Sequence, residues 1–350
     1  MNYKDFIKVL KSKELKSVYL FYGEEEYLID HSLKLVKDIF IDKAFEPLNY
    51  IELEGKDLEF DTIMNACETL PFMSEKKIVV IKDLPLFKSK KEEGEAKTKA
   101  SKDPLINYIE TLEDYIILVF VEKTKSIRKS NALYKRIDKF GDIVEFTKLK
   151  GSDLDKWIAD SFKKHNKTIN KSNINYFIEY SSYFDKNRER TLYDLENEIV
   201  KIANYSPDYG EITKNEIELL MTKPLEMNVF NLLNKISQKN GEEALKLFNE
   251  MYISGEPILF ILHMIVRQLR NMLKYKVLKE KGYSSGDNFK KMGLSQYEYK
   301  KISNQSNNFT IIQLEKALEY SLDADRKIKS SSIENRLIME MLIANLCYKL

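Results

Sequence analysis

"VYLFYGEEEYLIDHSLKLVKDIF" (residues 18–40) reads as a buried strand, Val18 to Tyr22, a turn at Gly23, and then a helix. Nucleotide-binding α/β proteins open in this way. Their strand runs into a glycine-rich loop, and the phosphates rest on the first helical turn, where free N–H groups and the helix dipole attract anions. Here that turn carries Glu24, Glu25 and Glu26. Carboxylates at a helix start are stabilising, each by about 0.3–1 kcal/mol, but they take the place of an anion and repel one arriving. The other parts of a phosphate grip are missing as well. After Gly23 there is no second glycine, no Gly-Lys pair, and no Ser or Thr before Ser32. A later apolar run, "KIVVIKDLP" (77–85), ends in Asp83 followed by Leu84, so it supplies no acidic pair for magnesium and water. The frame of a nucleotide site is present without its grip; a capped helix in an unrelated α/β fold fits the same residues.

Outward from this stretch, short apolar runs alternate with helical patterns up to about residue 150. Strands are predicted at 18–22, 48–53, 77–82, 115–121 and 143–146, all rich in Val, Ile and Tyr. Helices are predicted near 26–40, 57–69, 101–112 and 129–140. Such alternation implies a parallel sheet covered on both faces. The charged, aperiodic stretch "KSKKEEGEAKTKASKD" (88–103) reads as a mobile surface loop. Beyond residue 150 strand signals disappear. "SDLDKWIADSFKKH" starts a helix with Ser152 as its N-cap, and further helices are predicted near 171–183, 191–203 and 213–221. Pro224 marks a boundary, after which the chain is helical with breaks at Asn240-Gly241, Gly255-Glu256-Pro257, Gly282 and Gly293. Among the last helices, Leu314, Ala317, Leu318, Leu322 and Ile328 form one apolar stripe; Ile333, Leu337, Met341, Ala344 and Cys347 form another. The outline has three parts: 1–150 α/β, 151–224 helical, and 225–350 helical.

Bulk composition supports that outline and excludes several classes of function. A length of 350 residues exceeds one ordinary core, so two or three domains are expected. The 57 basic and 55 acidic residues leave a net charge of +2, which names no partner. Only eight of the basic residues are arginines. Lysine meets phosphate as a point charge, whereas arginine reads a guanine edge in two places, so base-specific DNA reading is disfavoured. The two cysteines, far apart in apolar helical surroundings, suggest neither a disulfide framework nor a zinc site and imply a reducing compartment. The first residues show no signal-peptide pattern. The longest apolar run, Ile258 to Val266, is nine residues, short of the roughly 20 that a membrane span needs, so a cytoplasmic location is expected.

No catalytic constellation emerges. His31, His165 and His263 fall in three separate regions, and His263, in "FILHMIV", reads as a core histidine. GxSxG, HExxH and CxxC are absent, and the acidic clusters read as solvated helix faces.

The stretch "VYLFYGEEEYLIDHSLK", taken with "TLPFMSEKKIVVIKD" (69–83), resembles the DNA polymerase III delta-subunit family, the clamp-loader component of bacterial replisomes. "KTKSIRKSNALYKRIDKFGDIVEF", "LYDLENEIVKI", "LEMNVFNLLNKI" and "LDADRKIKSSSIENRLIMEMLIANLC" resemble its later stretches in the same order, so the similarity spans essentially the whole chain. The resemblance implies a degenerate ATPase-like (AAA+-type) parallel-sheet domain that has lost its nucleotide site. A small helical lid domain and a larger all-α collar domain follow it. The implied role is mechanical, with no catalysis of its own and no cofactor, inside the DNA-directed DNA polymerase holoenzyme. The subunit would bind the sliding clamp (the beta subunit) and hold one interface of that ring open so that DNA enters. Companion ATPase subunits, joined through the collar, would supply the energy, and primer-template DNA would lie within the complex.

By the same resemblance, the clamp-binding projection maps onto Leu70, Pro71, Phe72 and Met73, and residues favouring the open ring lie in the adjoining region 57–69. The residues themselves give a physical reason. Pro71 stops the preceding helix and pushes Leu70 toward an extended conformation, which leaves Phe72 and Met73 at a turn before the charged "SEKK". Apolar side chains at such a corner are either plugged into their own core or offered to a partner. In the collar, "PILFILHMIVRQLRNMLKYKVLKEK" reads as a buried central helix or as one shared with neighbouring subunits, with Arg267, Arg270 and Lys274 as candidate collar or DNA contacts. Two other functions fit parts of the pattern: a nucleic-acid-binding helical protein with a vestigial α/β domain, and an atypical NTPase.

Overall fold

The apolar runs of the first 150 residues assemble into five parallel strands. The computed structural model describes residues 1–350 except 57, 88–101, 185–188, 207–209, 222–224 and 295. Most of the expected loop at 88–103 and the expected boundary at Pro224 therefore lie outside the described residues. In chain order the elements are α1 (Tyr3–Ser12), β1 (Val18–Gly23), α2 (Glu26–Phe40), α3 (Glu46–Asn49), β2 (Tyr50–Glu54), α4 (Phe60–Glu68), β3 (Lys77–Lys82), α5 (Lys102–Tyr108), β4 (Ile116–Glu122), α6 (Ala132–Phe140) and β5 (Asp142–Phe146). There follow α7 (Ser152–Lys164), β6 (Lys167–Ile169), α8 (Lys171–Ser181), α9 (Leu192–Tyr205), β7 (Gly210–Ile212) and α10 (Lys214–Leu220). The remaining helices are α11 (Leu225–Ser237), α12 (Gly241–Ile253), α13 (Ile258–Glu280), α14 (Ser285–Met292), α15 (Gln296–Ser306), α16 (Ile311–Ser330) and α17 (Asn335–Tyr348). The chain divides into two compact units, Met1–Asn175 with Asp185–Thr213, and Tyr176–Phe184 with Lys214–Leu350.

In the first unit the strand order is β2-β3-β4-β1-β5. Leu20 of β1 lies opposite Phe120 of β4 and Ile143 of β5. Strands β1 and β4 are buried along their whole length, which is why they read as continuous apolar runs rather than alternating ones. Successive side chains of β1 serve opposite faces. Val18, Leu20 and Tyr22 join one cluster with Ile63 and Cys67 of α4 and Leu133 and Ile137 of α6. Tyr19 and Phe21 face an aromatic group, with Phe6 of α1 edge-on to both, at 5.7 and 4.9 Å between ring centres. Cys67 and Cys347 are both free and buried, and burial pushes the Cys67 thiol up to about 12.

Several details of the first unit differ from the sequence reading. The predicted strand 48–53 splits, because Pro47 opens the single helical turn α3 and β2 starts only at Tyr50. Proline's fixed φ and missing N–H suit a first helical turn. Ser152 is not the N-cap of α7; Gly151 holds that position with φ +55, a conformation suited to glycine. Strands also occur beyond residue 150, where β6 pairs in parallel with β7. Three-residue strands are too short to show a period of two in sequence.

In the second unit α13 is the central helix, flanked by α11, α14, α15, α16 and α17. The predicted breaks at Asn240-Gly241, Gly255, Gly282 and Gly293 all fall at helix ends. The expected stripe on α17 is corrected. Ile338, Met339, Leu342, Ile343, Leu346 and Cys347 face the core, whereas Ile333, Leu337 and Met341 are exposed. A helix apolar around most of its circumference does not announce which side goes inward.

Candidate functional site

The turn after β1 is organised by its three glutamates. Gly23 sits at φ +152, and a β-carbon there would meet the Phe146 carbonyl oxygen at 2.0 Å. The glycine serves the close approach of β1 to the end of β5, so it is explained without any phosphate. Glu25 is completely buried. Its backbone N–H donates to the Phe146 carbonyl at 3.2 Å, and its carboxylate accepts from the Leu192 N–H, the first residue of α9, at 2.8 Å. A helix leaves its first N–H groups without partners inside the helix. Glu25 satisfies one of them at α9, so the carboxylate binds a helix N-terminus as an anion does, but one distant in sequence.

The two neighbouring carboxylates are also engaged. Glu26 pairs with Lys123 at 2.9 Å, and Glu24 with Lys125 at 3.5 Å. The hydrogen bond that Lys123 donates to the Glu26 carboxylate holds its ammonium above the ordinary pKa. Lys123 and Lys125 are therefore both engaged by side chains of the chain itself.

A second feature lies where α4 ends. Helix α4 stops at Glu68 and the chain turns extended at Thr69, as expected before Pro71. Leu70, Phe72 and Met73 then point outward, with 69%, 53% and 72% of their surfaces accessible, and Pro71 is half-buried between them. Leu48 of α3 is a further exposed apolar side chain, at 55%. Phe72 packs edge-on against Phe45, with ring centres 5.3 Å apart. Met73 takes a left-handed backbone, φ +52. The corner is held by Asn49, the last residue of α3, whose side chain is fully buried. Its Oδ1 accepts from the Phe72 N–H at 2.7 Å and its Nδ2 donates to the Phe72 carbonyl at 2.7 Å. Sequence reasoning missed Asn49, because it fell inside a run read as a strand and asparagine carries no periodic signal.

In the second unit the expected contact residues separate. Arg267 is tied to Glu298 at 3.0 Å, whereas Arg270 and Lys274 are exposed. His263, expected in the core, is exposed as well. With Arg270 it lines an open groove of about 440 Å³ between α13 and α16, floored by Leu262, Val266 and Leu318 and edged by Glu315 and Asp325. Leu259 and Phe260, at the start of α13, are also exposed, so the helix is not buried all round.

The remaining histidines form no constellation. His31 stacks on Tyr27 and meets the Tyr3 hydroxyl at 3.2 Å, and burial holds its pKa below the ordinary value. His165 caps the end of α7. Among the described residues no group of three or more His, Cys, Asp or Glu could hold a metal ion. No helix among them is long and apolar enough to cross a membrane.

A five-stranded parallel sheet in the order β2-β3-β4-β1-β5 that opens on a nucleotide-type strand–turn–helix, followed in the chain by helices, is an AAA+-like fold. Comparison with known proteins narrows this. The DNA polymerase III delta-subunit family matches residues 19–147, and the C-terminal domain of the DNA polymerase III delta subunit matches residues 226–346. The DNA polymerase III subunit delta of Bacillus subtilis is 25% identical over 350 residues, covering 98% of this chain and 96% of the relative. A probable delta subunit of Aquifex aeolicus is 25% identical over 271 residues, covering 76% of this chain and 72% of its own. In fold, the chain is similar to the solved DNA clamp loader delta protein of Bacillus subtilis, with a TM-score of 0.60 at 24% identity and 99% coverage of both chains. The chain belongs to the DNA polymerase III delta-subunit family, whose members are clamp-loader components of DNA replication.

Proposed function

We propose that this chain is a non-catalytic clamp-loader subunit that docks on the ring-shaped sliding clamp through Leu70, Pro71, Phe72 and Met73 and holds one ring interface open for DNA. The observation that carries the reading is the exposed apolar corner itself: three large side chains turned to solvent on a backbone fastened from behind. Such side chains gain roughly 1.5–3 kcal/mol each when buried. Association consumes several kcal/mol of that gain, so the corner acts as a hot spot within a wider contact. Opening a ring further requires tighter binding to the open form than to the closed one, since equal affinity shifts no equilibrium. Region 57–69, which contains α4 and adjoins the corner, is proposed to provide that difference.

In this reading the chain has three parts, 1–150, 151–224 and 225–350, and works in the cytoplasm without a cofactor. The last part joins companion ATPase subunits, with Arg270 and Lys274 on its exposed side, and primer-template DNA is held by the whole assembly. The engaged state of Glu24, Glu25 and Glu26 supports the absence of nucleotide chemistry. Equilibrium titration with labelled ATP is expected to give no binding at micromolar nucleotide. A micromolar Kd would favour an atypical NTPase instead. Association with the purified clamp of the same organism, measured by calorimetry, tests the central claim. Strong nucleic-acid affinity of the isolated chain with no affinity for clamp would replace it with the nucleic-acid-binding reading.

A further inference from the structure

Resting on the docking role of the corner, we propose that Asn49 is its positioning residue, presetting Phe72 and its neighbours in the geometry that enters the partner's pocket. One side chain takes both backbone groups of Phe72, the N–H at 2.7 Å and the carbonyl at 2.7 Å, as a neighbouring strand would. Its amide nitrogen also faces the Ser74 Oγ at 2.9 Å and the Phe45 carbonyl at 3.1 Å. The amide orientation is determined by this network, because the Phe72 N–H needs an acceptor and the carbonyls need a donor. Ser74 adds a second tie, accepting from the Asp42 N–H at 3.4 Å.

The corner needs such a clasp. It belongs to no helix or strand, and Met73 takes a left-handed backbone that an L-residue otherwise avoids. Its side chains face solvent, so their packing contributes little to holding the backbone. Asn49, by contrast, is fully buried at the end of α3, directly before β2, and so ties the corner to the sheet. A corner set in advance loses less conformational freedom on docking, and its apparent affinity is not divided by the fraction of time spent in other shapes. Asparagine is the side chain that suits: it carries a donor and an acceptor at one reach, whereas aspartate would set a charge against two carbonyls.

The test is a double-mutant cycle in the full-length chain, binding the purified sliding clamp of the same organism. Asn49→Ala is expected to weaken binding about tenfold to thirtyfold, reflecting the loss of two net hydrogen bonds that hold the competent shape. In a Phe72→Ala background the same change is expected to cost little more, because Asn49 acts through Phe72. Hydrogen exchange supplies a second readout: the Phe72 amide speeds up in Asn49→Ala while the amides of β3 keep their protection. Should Asn49→Ala not fold, Asn49→Ser, which stays uncharged and polar but cannot reach both backbone groups of Phe72, allows the same comparison. Wild-type affinity in the single variant, or an equal loss in both backgrounds, overturns the proposal. Should clamp binding prove indifferent to Leu70 and Phe72 themselves, the docking role fails first, and exchange at Phe72 still reports whether Asn49 holds the corner.

Discussion

Replacing Leu70 and Phe72 together by alanine lowers the affinity for the sliding clamp by at least a hundredfold and leaves the fold intact. Each side chain has more than half of its surface in water, so its removal costs the free chain little packing. On a partner each would bury apolar area worth roughly 1.5–3 kcal/mol, so the pair contributes about 3–6 kcal/mol. At about 1.4 kcal/mol per factor of ten, that range corresponds to hundredfold to ten-thousandfold. Phe72 also has an edge contact with Phe45, so a drop of a degree or two in melting temperature is expected from its loss. Calorimetric titration against clamp, with a circular-dichroism melt of each variant, separates the two effects. A double variant that binds clamp as the wild type does removes this corner from the interface.

The second large effect is on stability. Glu25→Ala leaves the first N–H of α9 buried without its carboxylate, since Leu192 is itself fully buried. Hydrogen bonds to charged groups contribute about 1.5–3 kcal/mol, and stranding the buried partner adds to the loss, so a destabilisation of roughly 2–4 kcal/mol is expected. In a unit of this size the melting transition falls by about 5–10 °C. Glu25→Gln keeps an acceptor oxygen and is expected to lose less than half as much. Neither variant is expected to gain ATP affinity, because the substitution supplies neither a phosphate-binding lysine nor a second glycine. Differential scanning calorimetry and the labelled-ATP titration check both statements. An unchanged melting temperature in Glu25→Ala would show that this hydrogen bond contributes nothing to holding α9.

These two residues mark how far the sequence could be read. The five strands, the helices between them and the helix ends after residue 225 were legible because buried parallel strands form apolar runs and helices repeat every three to four residues. The empty phosphate grip was equally legible, since glycines, lysines and hydroxyls can be counted. Glu25 was visible only as one of three acidic residues at a helix start. That it caps α9, 167 positions away, could not be read, because a hydrogen bond across such a separation leaves no periodic trace. Asn49 was hidden in a run that turned from helix to strand at Tyr50. Of the stripe assigned to the last helix only Cys347 reaches the core while Ile333, Leu337 and Met341 face water, because a helix so broadly apolar does not disclose which neighbours it meets.

The sequence by itself determined the class of fold, the missing P-loop pattern and an apolar corner after α4, because each depends on local composition and spacing. Tertiary structure alone decided that the corner faces water, that Asn49 fastens it from behind, and that the buried Glu25 carboxylate holds the first N–H of α9. Those outcomes rest on which distant groups are brought within hydrogen-bonding reach, and only packing sets that.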